Sequence, residues 1–276
     1  MEIEVIEKAE NRLRFIIRGS NDTYINALRR TIISEVPVLA IEDIILVENS
    51  SPFLDEIIAH RLGLIPLTTV PDEFTIASEC EECGGEGCHS CSVDLSLDVE
   101  ASLDAPRVVY SGDLSSPDEA IKPVSDKIPI AQLAPGQKIT LEAIALFDRG
   151  KRHAKWSPVV TCSYRYYPEV DQDKDKCTGC GECIEACPKN LLELKKKEVI
   201  LTDPYECLLC DLCESACDYD SLKMKGIPGE YIFFLESTGA FPPLYIIKKA
   251  TEILKSKAEE FEAEYKKSLD EYLKKK

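Results

Sequence analysis

The sequence has few of the residues that usually carry catalysis or cross membranes. It contains three histidines, two methionines and one tryptophan. No apolar run approaches the roughly 20 residues that a membrane-spanning helix needs. The first residues, MEIEVIEKAENRLRF, alternate charged with apolar side chains, so we expect no secretory signal. The sequence therefore favours a reduced, cytoplasmic location without membrane attachment.

Positive charge is also scarce. The chain has 33 Lys and Arg against 50 Asp and Glu, which gives a formal net charge of −17. Because binding to phosphates needs a basic surface, we expect no direct, specific nucleic-acid binding. We also find no dinucleotide fingerprint, no P-loop and no triad pattern, and no acidic triplet arranged for magnesium. We therefore assign no catalytic residue to this chain.

Cysteine, by contrast, is abundant, with 13 in 276 residues. Twelve of them fall into CxxC-type groups, a quartet within 80–91 and an octet within 177–217. The remaining one, Cys162, is predicted to be a small core residue on a strand. Disulfides are the alternative explanation for the groups, but a reducing compartment and this spacing favour metal ligation.

The octet consists of two runs with the spacing of bacterial ferredoxins, C-x2-C-x2-C-x3-C-P, although Asp218 replaces the second proline. Three closely spaced thiolates can hold one 4Fe–4S cluster, whereas the fourth cysteine of each run binds the other cluster in two-cluster ferredoxins. The predicted ligand sets are Cys177, Cys180, Cys183 and Cys217 for the first cluster, and Cys207, Cys210, Cys213 and Cys187 for the second.

The clusters allow two interpretations. They could transfer electrons, or they could hold together a small segment that has no sufficient core of its own. Gly179 and Gly181 suit a tightly wound loop in which backbone N–H groups approach sulfur. Between the runs, LLELKKKEVILTDPYE predicts a strand, a basic turn, a second strand and a loop.

The quartet lies in the segment CEECGGEGCHSC, where two CxxC knuckles are separated by glycine-rich residues. Two knuckles that face one ion form a tetrahedron of four thiolates, which is typical of structural zinc. The predicted ligands are Cys80, Cys83, Cys88 and Cys91. Iron is the alternative metal, and His89 is expected not to be a ligand.

The rest of the chain predicts a mixture of strands and helices. Residues 2–19 predict a hairpin, and a helix capped near 20–22 ends at Pro37. A strand follows over 38–49, a short helix over 54–62, and a β-rich region to about residue 160. The acidic segment EVDQDKD at 169–175 is predicted to be a linker.

The C-terminal segment predicts one long helix after a strand near 229–238. Its apolar positions recur every three or four residues from Ile247 to Tyr272, a stripe too long for a small domain to bury alone. The first half is expected to lie on the chain's own sheet. The second half is expected to meet another chain.

Three segments resemble one family. NALRR at 26–30, LDEIIAHRLGLIPL at 54–67 and HAKWSP at 153–158 are similar to the D subunit of archaeal RNA polymerase. That family is the counterpart of the third subunit of eukaryotic RNA polymerase II and of the bacterial α subunit's N-terminal domain. The resemblance covers essentially the whole chain, and some family members carry a ferredoxin-like insertion.

The resemblance implies an α+β fold with a split dimerisation domain built from both chain ends, 1–49 and 224–276. A β-rich domain, 50–165, and a ferredoxin-like two-cluster module, 166–223, are inserted into it. It further implies a heterodimer with the small subunit L. This heterodimer would dock the large catalytic subunits and contact other small subunits. The implied contact residues are Asn26, Leu28, Arg29, Arg30, His60, Arg61, His153, Lys155, Trp156, Leu254, Phe261 and Tyr265.

Several of these residues have a plain structural alternative. Adjacent arginines such as Arg29 and Arg30 usually lie on a solvated surface, and His60 and His153 could be structural histidines. Trp156 could be a buried anchor instead of a docking residue.

The sequence thus leads to a polymerase scaffold subunit as the main hypothesis, with a ferredoxin-type electron carrier or oxidoreductase subunit as the alternative. A third hypothesis is that cluster loss gates assembly by redox state.

Overall fold

A computed structural model describes residues 1–85 and 87–274, and its secondary structure is mixed α/β, as predicted. The strands are β1 Glu2–Lys8, β2 Arg12–Arg18, β3 Val38–Asn49, β4 Ser92–Glu100, β5 Arg107–Tyr110, β6 Pro129–Leu133, β7 Lys138–Asp148, β8 Val159–Gln172, β9 Leu192–Lys195, β10 Glu198–Leu201 and β11 Leu222–Ser237. The helices are α1 Asp22–Ser34, α2 Asp55–Gly63, α3 Glu182–Glu185, α4 Leu212–Ser215 and α5 Pro243–Lys274. Within the described ranges, no helix is both long and apolar enough to cross a membrane.

The chain divides into two compact units. The first contains Met1–Ala9, Leu13–Ala27 and Ser163–Phe234, and the second contains Glu10–Arg12, Leu28–Cys162 and Leu235–Lys276. Each unit therefore draws on segments that are distant in sequence, so neither could be delimited from local composition.

The first unit is built on a four-stranded sheet in the order β1-β2-β11-β8. β1 and β2 form the predicted hairpin, with Glu2 opposite Arg18 and Lys8 opposite Leu13. Aromatic side chains pack across the sheet, since the ring centroids of Phe15 and Phe233 are 5.2 Å apart. Such pairs stabilise neighbouring strands beyond the area that they bury.

The same unit contains the cysteine-rich module. β9 and β10 form an antiparallel hairpin whose turn residues Lys196 and Lys197 have positive φ angles of 49° and 70°. The predicted strand, basic turn and second strand are therefore confirmed. Two single-turn helices, α3 and α4, each begin inside one cysteine run.

The second unit contains a three-stranded sheet in the order β3-β7-β4 and a two-stranded sheet of β5 and β6. β7 runs antiparallel to both neighbours, and its alternate residues Leu141, Ala143 and Ala145 are buried. This β-rich region matches the prediction for 50–160. The glycine-rich cysteine loop lies directly before β4.

α1, α2 and α5 follow the predicted helices to within a few residues, whereas α3 and α4 lie in cysteine runs for which no helix was predicted. Asn21 caps α1, because its Oδ1 accepts the backbone N–H of Tyr24 at 2.8 Å. α5 buries Ile246 and Ala250 near its start, and Lys249 pairs with Asp72 at 2.6 Å. From Lys255 to Lys274 every residue of α5 is exposed.

The segment 169–175 is only partly a linker. β8 continues to Gln172, and the backbone N–H of Asp173 still donates to the carbonyl of Ser221 at 2.8 Å. Its acidic composition suggested a loop, but hydrogen bonding to a distant strand extends β8.

Candidate metal centres and partner surfaces

The cysteines of the first run surround one cavity together with a cysteine of the second run. The cavity is lined by the thiols of Cys177, Cys180, Cys183 and Cys217. Gly179 and Gly181 have φ angles of 79° and 88°, a conformation that glycine adopts without strain. The loop can therefore wind tightly around the cavity.

A second cavity is related to the first by the repeat in the sequence. It is lined by the thiols of Cys187, Cys207, Cys210 and Cys213. Leu209 and Asp211 take the places of the two glycines and have φ angles of 52° and 60°. A bulky residue such as leucine in this left-handed region costs about 1–2 kcal/mol, so the second loop is strained.

The middle cysteines of the two runs are also part of the module's core. The buried residues of that core are Cys183, Leu192, Val199, Cys213, Leu222 and Met224. Burial raises the pKa of Cys213 to about 11 and also raises the pKa of Cys183. Because metal ligation requires thiolates, a bound metal would displace these protons and couple binding to folding.

The last cysteine of each run is held by the backbone that follows it. Cys217 Sγ lies 3.1 Å from the hydroxyl of Ser221 and accepts its N–H at 3.4 Å. Burial acts to raise the pKa of Cys217, but the hydroxyl and N–H of Ser221, together with the N–H groups of Tyr219 and Leu222, lower it overall. Cys187 accepts the N–H of Leu191 at 3.4 Å in the same way. Sequence reasoning missed these donors, although both stand four residues after a cysteine.

The quartet has the dimensions of a zinc site. Its Sγ–Sγ distances are 3.6 Å between Cys80 and Cys88, 3.5 Å between Cys83 and Cys91, and 3.8 Å between Cys88 and Cys91. All four sulfurs lie within 4.8 Å of one another. A tetrahedron with Zn–S bonds of about 2.3 Å requires sulfurs roughly 3.8 Å apart. The four thiols therefore fit one tetrahedral ion.

Backbone geometry prepares the quartet for a thiolate. Burial acts to raise the pKa of Cys83, but the N–H groups of Gly85 and Gly87 lower it to about 6. These glycines have φ angles of 98° and 104°, which turn their N–H groups toward the sulfur. Burial raises the pKa of Cys91 to about 12. His89 Nε2 lies 3.3 Å from the hydroxyl of Ser90.

Replacing Cys91 by serine should empty the quartet. Metal content measured by mass spectrometry should fall from about one equivalent in this loop to near zero, because a structural zinc site needs all four ligands. Cys91 is fully buried, so the start of β4 should also gain rapid amide exchange. The matched variant His89→Ala should keep its metal. Metal loss in His89→Ala would show that the histidine is a ligand and contradict the four-thiol assignment.

The predicted contact residues on α1 differ in their exposure. Leu28 is buried, Asn26 and Arg29 are half-buried, and Arg30 is exposed. The carbonyl of Arg30 accepts the hydroxyl of Ser34 at 2.8 Å, which leaves its guanidinium out of that bond. Cys162, on β8, has its pKa raised to about 12 by burial, against the opposing charge of Arg29. Of this group, Arg30 has the side chain most available to a partner.

α2 presents an exposed apolar face with charged neighbours. Leu54, Ile57 and Leu64 are 70%, 43% and 55% exposed, and His60 is exposed beside them. Arg61 donates to the carbonyl of Ile130 at 2.6 Å, so part of its hydrogen-bonding capacity is used within the chain. Of the two predicted contact residues, the side chain of His60 is therefore available to a partner, whereas that of Arg61 is partly engaged within the chain.

The segment around 153–156 is bound mainly to its own chain. Trp156 is buried, and its indole N–H donates to the carbonyl of Leu146 at 2.9 Å. Lys155 Nζ donates to the carbonyl of Ile41 at 2.8 Å and pairs with Glu42. The backbone N–H of Lys155 donates to Nδ1 of His153 at 3.1 Å, and His153 is exposed. Of the two alternatives for Trp156, the structure has the buried anchor.

The Lys155→Met variant should lose about 2 kcal/mol of unfolding free energy, because Glu42 and the Ile41 carbonyl would lose a partly buried partner. Urea unfolding measures this loss, and the exposed Lys151→Met serves as the matched control. Unchanged stability of Lys155→Met would show that these two contacts do not support the fold.

α5 carries the most exposed apolar side chains that line up along one helix. Phe261 and Tyr265 are 74% and 58% exposed, and their ring centroids are 6.5 Å apart. Leu269 and Tyr272 continue the same stripe at 42% and 56% exposure. Leu254 lies half-buried before the stripe becomes fully exposed. An aligned apolar surface of this kind is typical of a helix that packs against another chain.

Comparison with known families accounts for both parts of this arrangement. Residues 41–159 match the family described as RNA polymerase Rpb3/RpoA insert domain, and residues 176–221 match the 4Fe-4S dicluster domain. The fold and sites therefore define an iron–sulfur member of the polymerase α-like proteins.

Relatives that match nearly the full length identify the family. The chain is 40% identical to DNA-directed RNA polymerase subunit Rpo3 of Archaeoglobus fulgidus, over 94% of this chain and 96% of the relative. It is 36% identical to the Rpo3 subunit of Pyrococcus furiosus, over 97% and 98% of the two chains. This chain belongs to the family of DNA-directed RNA polymerase subunit Rpo3. The resemblance to an archaeal polymerase subunit is thereby confirmed.

Proposed function

We propose that this chain is the scaffold subunit of a DNA-directed RNA polymerase and carries no catalytic residues of its own. It forms a heterodimer with the small subunit L, and the dimer docks the large catalytic subunits and further small subunits. The split dimerisation domain of 1–49 and 224–276, with the insertions 50–165 and 166–223, is the architecture that we propose for this role. The cytoplasm is its expected location, since ligation needs free thiols.

The observation that carries this proposal is the exposed stripe on the second half of α5. Phe261, Tyr265 and Leu269 lie on a helix segment in which every residue from Lys255 to Lys274 is exposed. A water-exposed stripe of large apolar side chains is costly for an isolated chain, and burial against a partner helix recovers that cost. Leu254 is the last half-buried apolar residue of the described helix, and beyond it Lys257 still pairs with Glu35 at 2.8 Å.

Docking of the large subunits is best supported at α1 and α2. The exposed Arg30 and His60 offer hydrogen-bond donors, and the apolar face of Leu54 and Ile57 adds surface to bury. The contact residues that lie inside the chain act differently. Trp156 and Lys155 hold the segment that presents His153, and they contribute to docking through that position.

The cysteine-lined cavities support two 4Fe–4S clusters and one zinc ion. The proposed ligands are Cys177, Cys180, Cys183 and Cys217 for the first cluster, Cys187, Cys207, Cys210 and Cys213 for the second, and Cys80, Cys83, Cys88 and Cys91 for zinc. Bound 4Fe–4S clusters supply one-electron redox chemistry and strong metal–thiolate bonds.

For the clusters we favour a structural role over electron transfer. Cys183 and Cys213 belong to the module's hydrophobic core, so cluster binding and packing share the same residues. The helices α3 and α4 have only four residues each, which is too short for independent stability. The module therefore depends on its ligands for a fixed fold.

The test is anaerobic affinity purification of the tagged full-length chain from its native extract, with every copurifying chain identified by mass spectrometry. We expect one small polymerase subunit and the two large ones. Recovery of flavoproteins or dehydrogenases without polymerase subunits would overturn the scaffold proposal and favour the electron carrier.

A further inference from the structure

Two arginines are exceptional among the described residues, because their buried Nε atoms have no hydrogen-bond partner. They are Arg149 in the second unit and Arg165 on β8 in the first unit. Arg149 is compensated, since its guanidinium pairs with Glu79 at 2.9 Å. Arg165, by contrast, makes no ion pair with any residue in the described part of the chain.

Arg165 reaches the second cysteine run from the sheet. One of its terminal N–H groups donates to the carbonyl of Tyr205, two residues before Cys207. Its side chain also lines a cavity together with Arg14, Lys189 and Leu208. Lys189 and Leu208 line the second cluster cavity as well. Glu206 lines both cavities too, so the guanidinium lies in the cavity next to that of the second cluster.

The carboxylates near Arg165 are already engaged. Glu206 binds Arg14 at 2.8 Å and Lys189 at 2.7 Å, and these two partners lower its pKa to about 2. Asp203 accepts the backbone N–H of Tyr205 at 2.9 Å. Asp211, which also lines the second cavity, is exposed to solvent. Glu206 and Asp203 act on Arg165 through space, but Glu206 is shared with Arg14 and Lys189, so Arg165 has no carboxylate to itself.

A partly buried cation without a paired anion is unfavourable. Burial and the neighbouring charge of Arg14 lower the pKa of Arg165, whereas the charges of Glu206, Cys207 and Asp203 act to raise it. The thiolates of Cys187, Cys207, Cys210 and Cys213, together with the cluster they would hold, form an anion that gains one more negative charge on reduction. That anion has the sign and the location needed to balance Arg165.

We propose that Arg165 is the counter-charge of the second cluster and links its occupancy and redox state to strand β8. This inference rests on the second ligand set proposed above. In the loaded protein Arg165 stabilises the cluster, and stabilises the reduced form more. In the cluster-free protein the same side chain is a partly buried charge that the shared Glu206 compensates only in part, and it destabilises the sheet. Arg165 thus stabilises the cluster-loaded protein and destabilises the cluster-free protein.

The first measurement is a redox titration of the full chain with dithionite as electron donor, followed by electron paramagnetic resonance. Arg165→Met should lower one of the two midpoint potentials. At a fixed potential the ratio of reduced to oxidised cluster should fall about tenfold, which corresponds to a shift of about 59 mV for a one-electron couple. Arg165→Lys should retain most of the wild-type value, because it keeps the charge. Arg149→Met is the matched control and should move neither midpoint.

The second measurement is thermal unfolding of the chelator-stripped chain. Because the substitution removes the partly buried charge of Arg165, the cluster-free Arg165→Met variant should unfold at a higher temperature than the cluster-free wild type. In the loaded proteins the order should be reversed. A lower unfolding temperature for Arg165→Met in both states would mean that the side chain is merely structural, and the proposal would fail.

Iron analysis separates this inference from the assignment of the ligands. If the wild-type protein held a single cluster and that cluster survived the Cys210→Ser substitution, the second ligand set would be wrong. The proposed role of Arg165 would then fail as well. Two clusters with unchanged midpoints in Arg165→Met would overturn only the counter-charge proposal.

Discussion

Replacing both Phe261 and Tyr265 by glutamate should abolish copurification of the small partner subunit. The two rings are largely exposed in the single chain, so their burial stabilises only the complex with the partner. Aromatic side chains at the centre of an interface typically contribute about 2 kcal/mol or more each. The double substitution should therefore weaken the heterodimer by at least about 100-fold.

The same substitutions should leave the isolated chain as stable as the wild type, because exposed helix positions tolerate glutamate. Thermal unfolding of the purified single chain checks this point. A matched variant with glutamates at Ala263 and Lys267, which are exposed on the opposite face of α5, should still bind the partner. Normal heterodimer formation by the Phe261 and Tyr265 variant would refute the proposed interface.

Replacing Cys183 and Cys213 together by serine should unfold the cysteine-rich module without unfolding the β3-β7-β4 sheet. Both thiols are ligands in the proposed sets and are also buried in the module's core, so the change removes clusters and packing together. Amide exchange across 176–221 should accelerate by at least about 100-fold, because local opening would no longer require release of the metal. The visible absorbance of the clusters should disappear as well.

Cys162→Ser is the matched control for this experiment. Cys162 lies outside both cysteine runs, so cluster absorbance and exchange in the module should stay unchanged. Retained protection of 176–221 in the double variant would show that the module folds without clusters and would remove the structural role. Normal assembly of the cluster-free double variant with its partners in air would end the hypothesis that redox state gates assembly.

The sequence predicts an element correctly where the interactions that determine it are local. The hairpin of β9 and β10 follows from two short apolar runs around three lysines, and α1 follows from its Asn21 cap and the proline at 37. The same holds for α5, whose apolar period is visible over its whole length. Within these elements the nearest neighbours along the chain decide the conformation.

Features that depend on distant segments were not predictable in the same way. The end of β8 at Gln172 is set by hydrogen bonding near Ser221, almost fifty residues later in the chain. The exposure of Trp156 and Lys155 depends on Leu146 and on Ile41, which come from two other strands. Nothing near Arg165 in the sequence indicates a cysteine cavity. Only the folded chain brings that side chain to Tyr205.

The exchange of the last cysteines between the two runs makes filling of the module cooperative. Cys217 lines the cavity of the first run and Cys187 lines the cavity of the second. Under the proposed ligation, whichever cluster binds first closes the loop between the two runs. The second cluster therefore binds to a chain that has already lost the conformational entropy of that ordering. Under iron limitation, a population of these subunits would therefore consist mainly of fully loaded and empty chains, with few half-loaded ones.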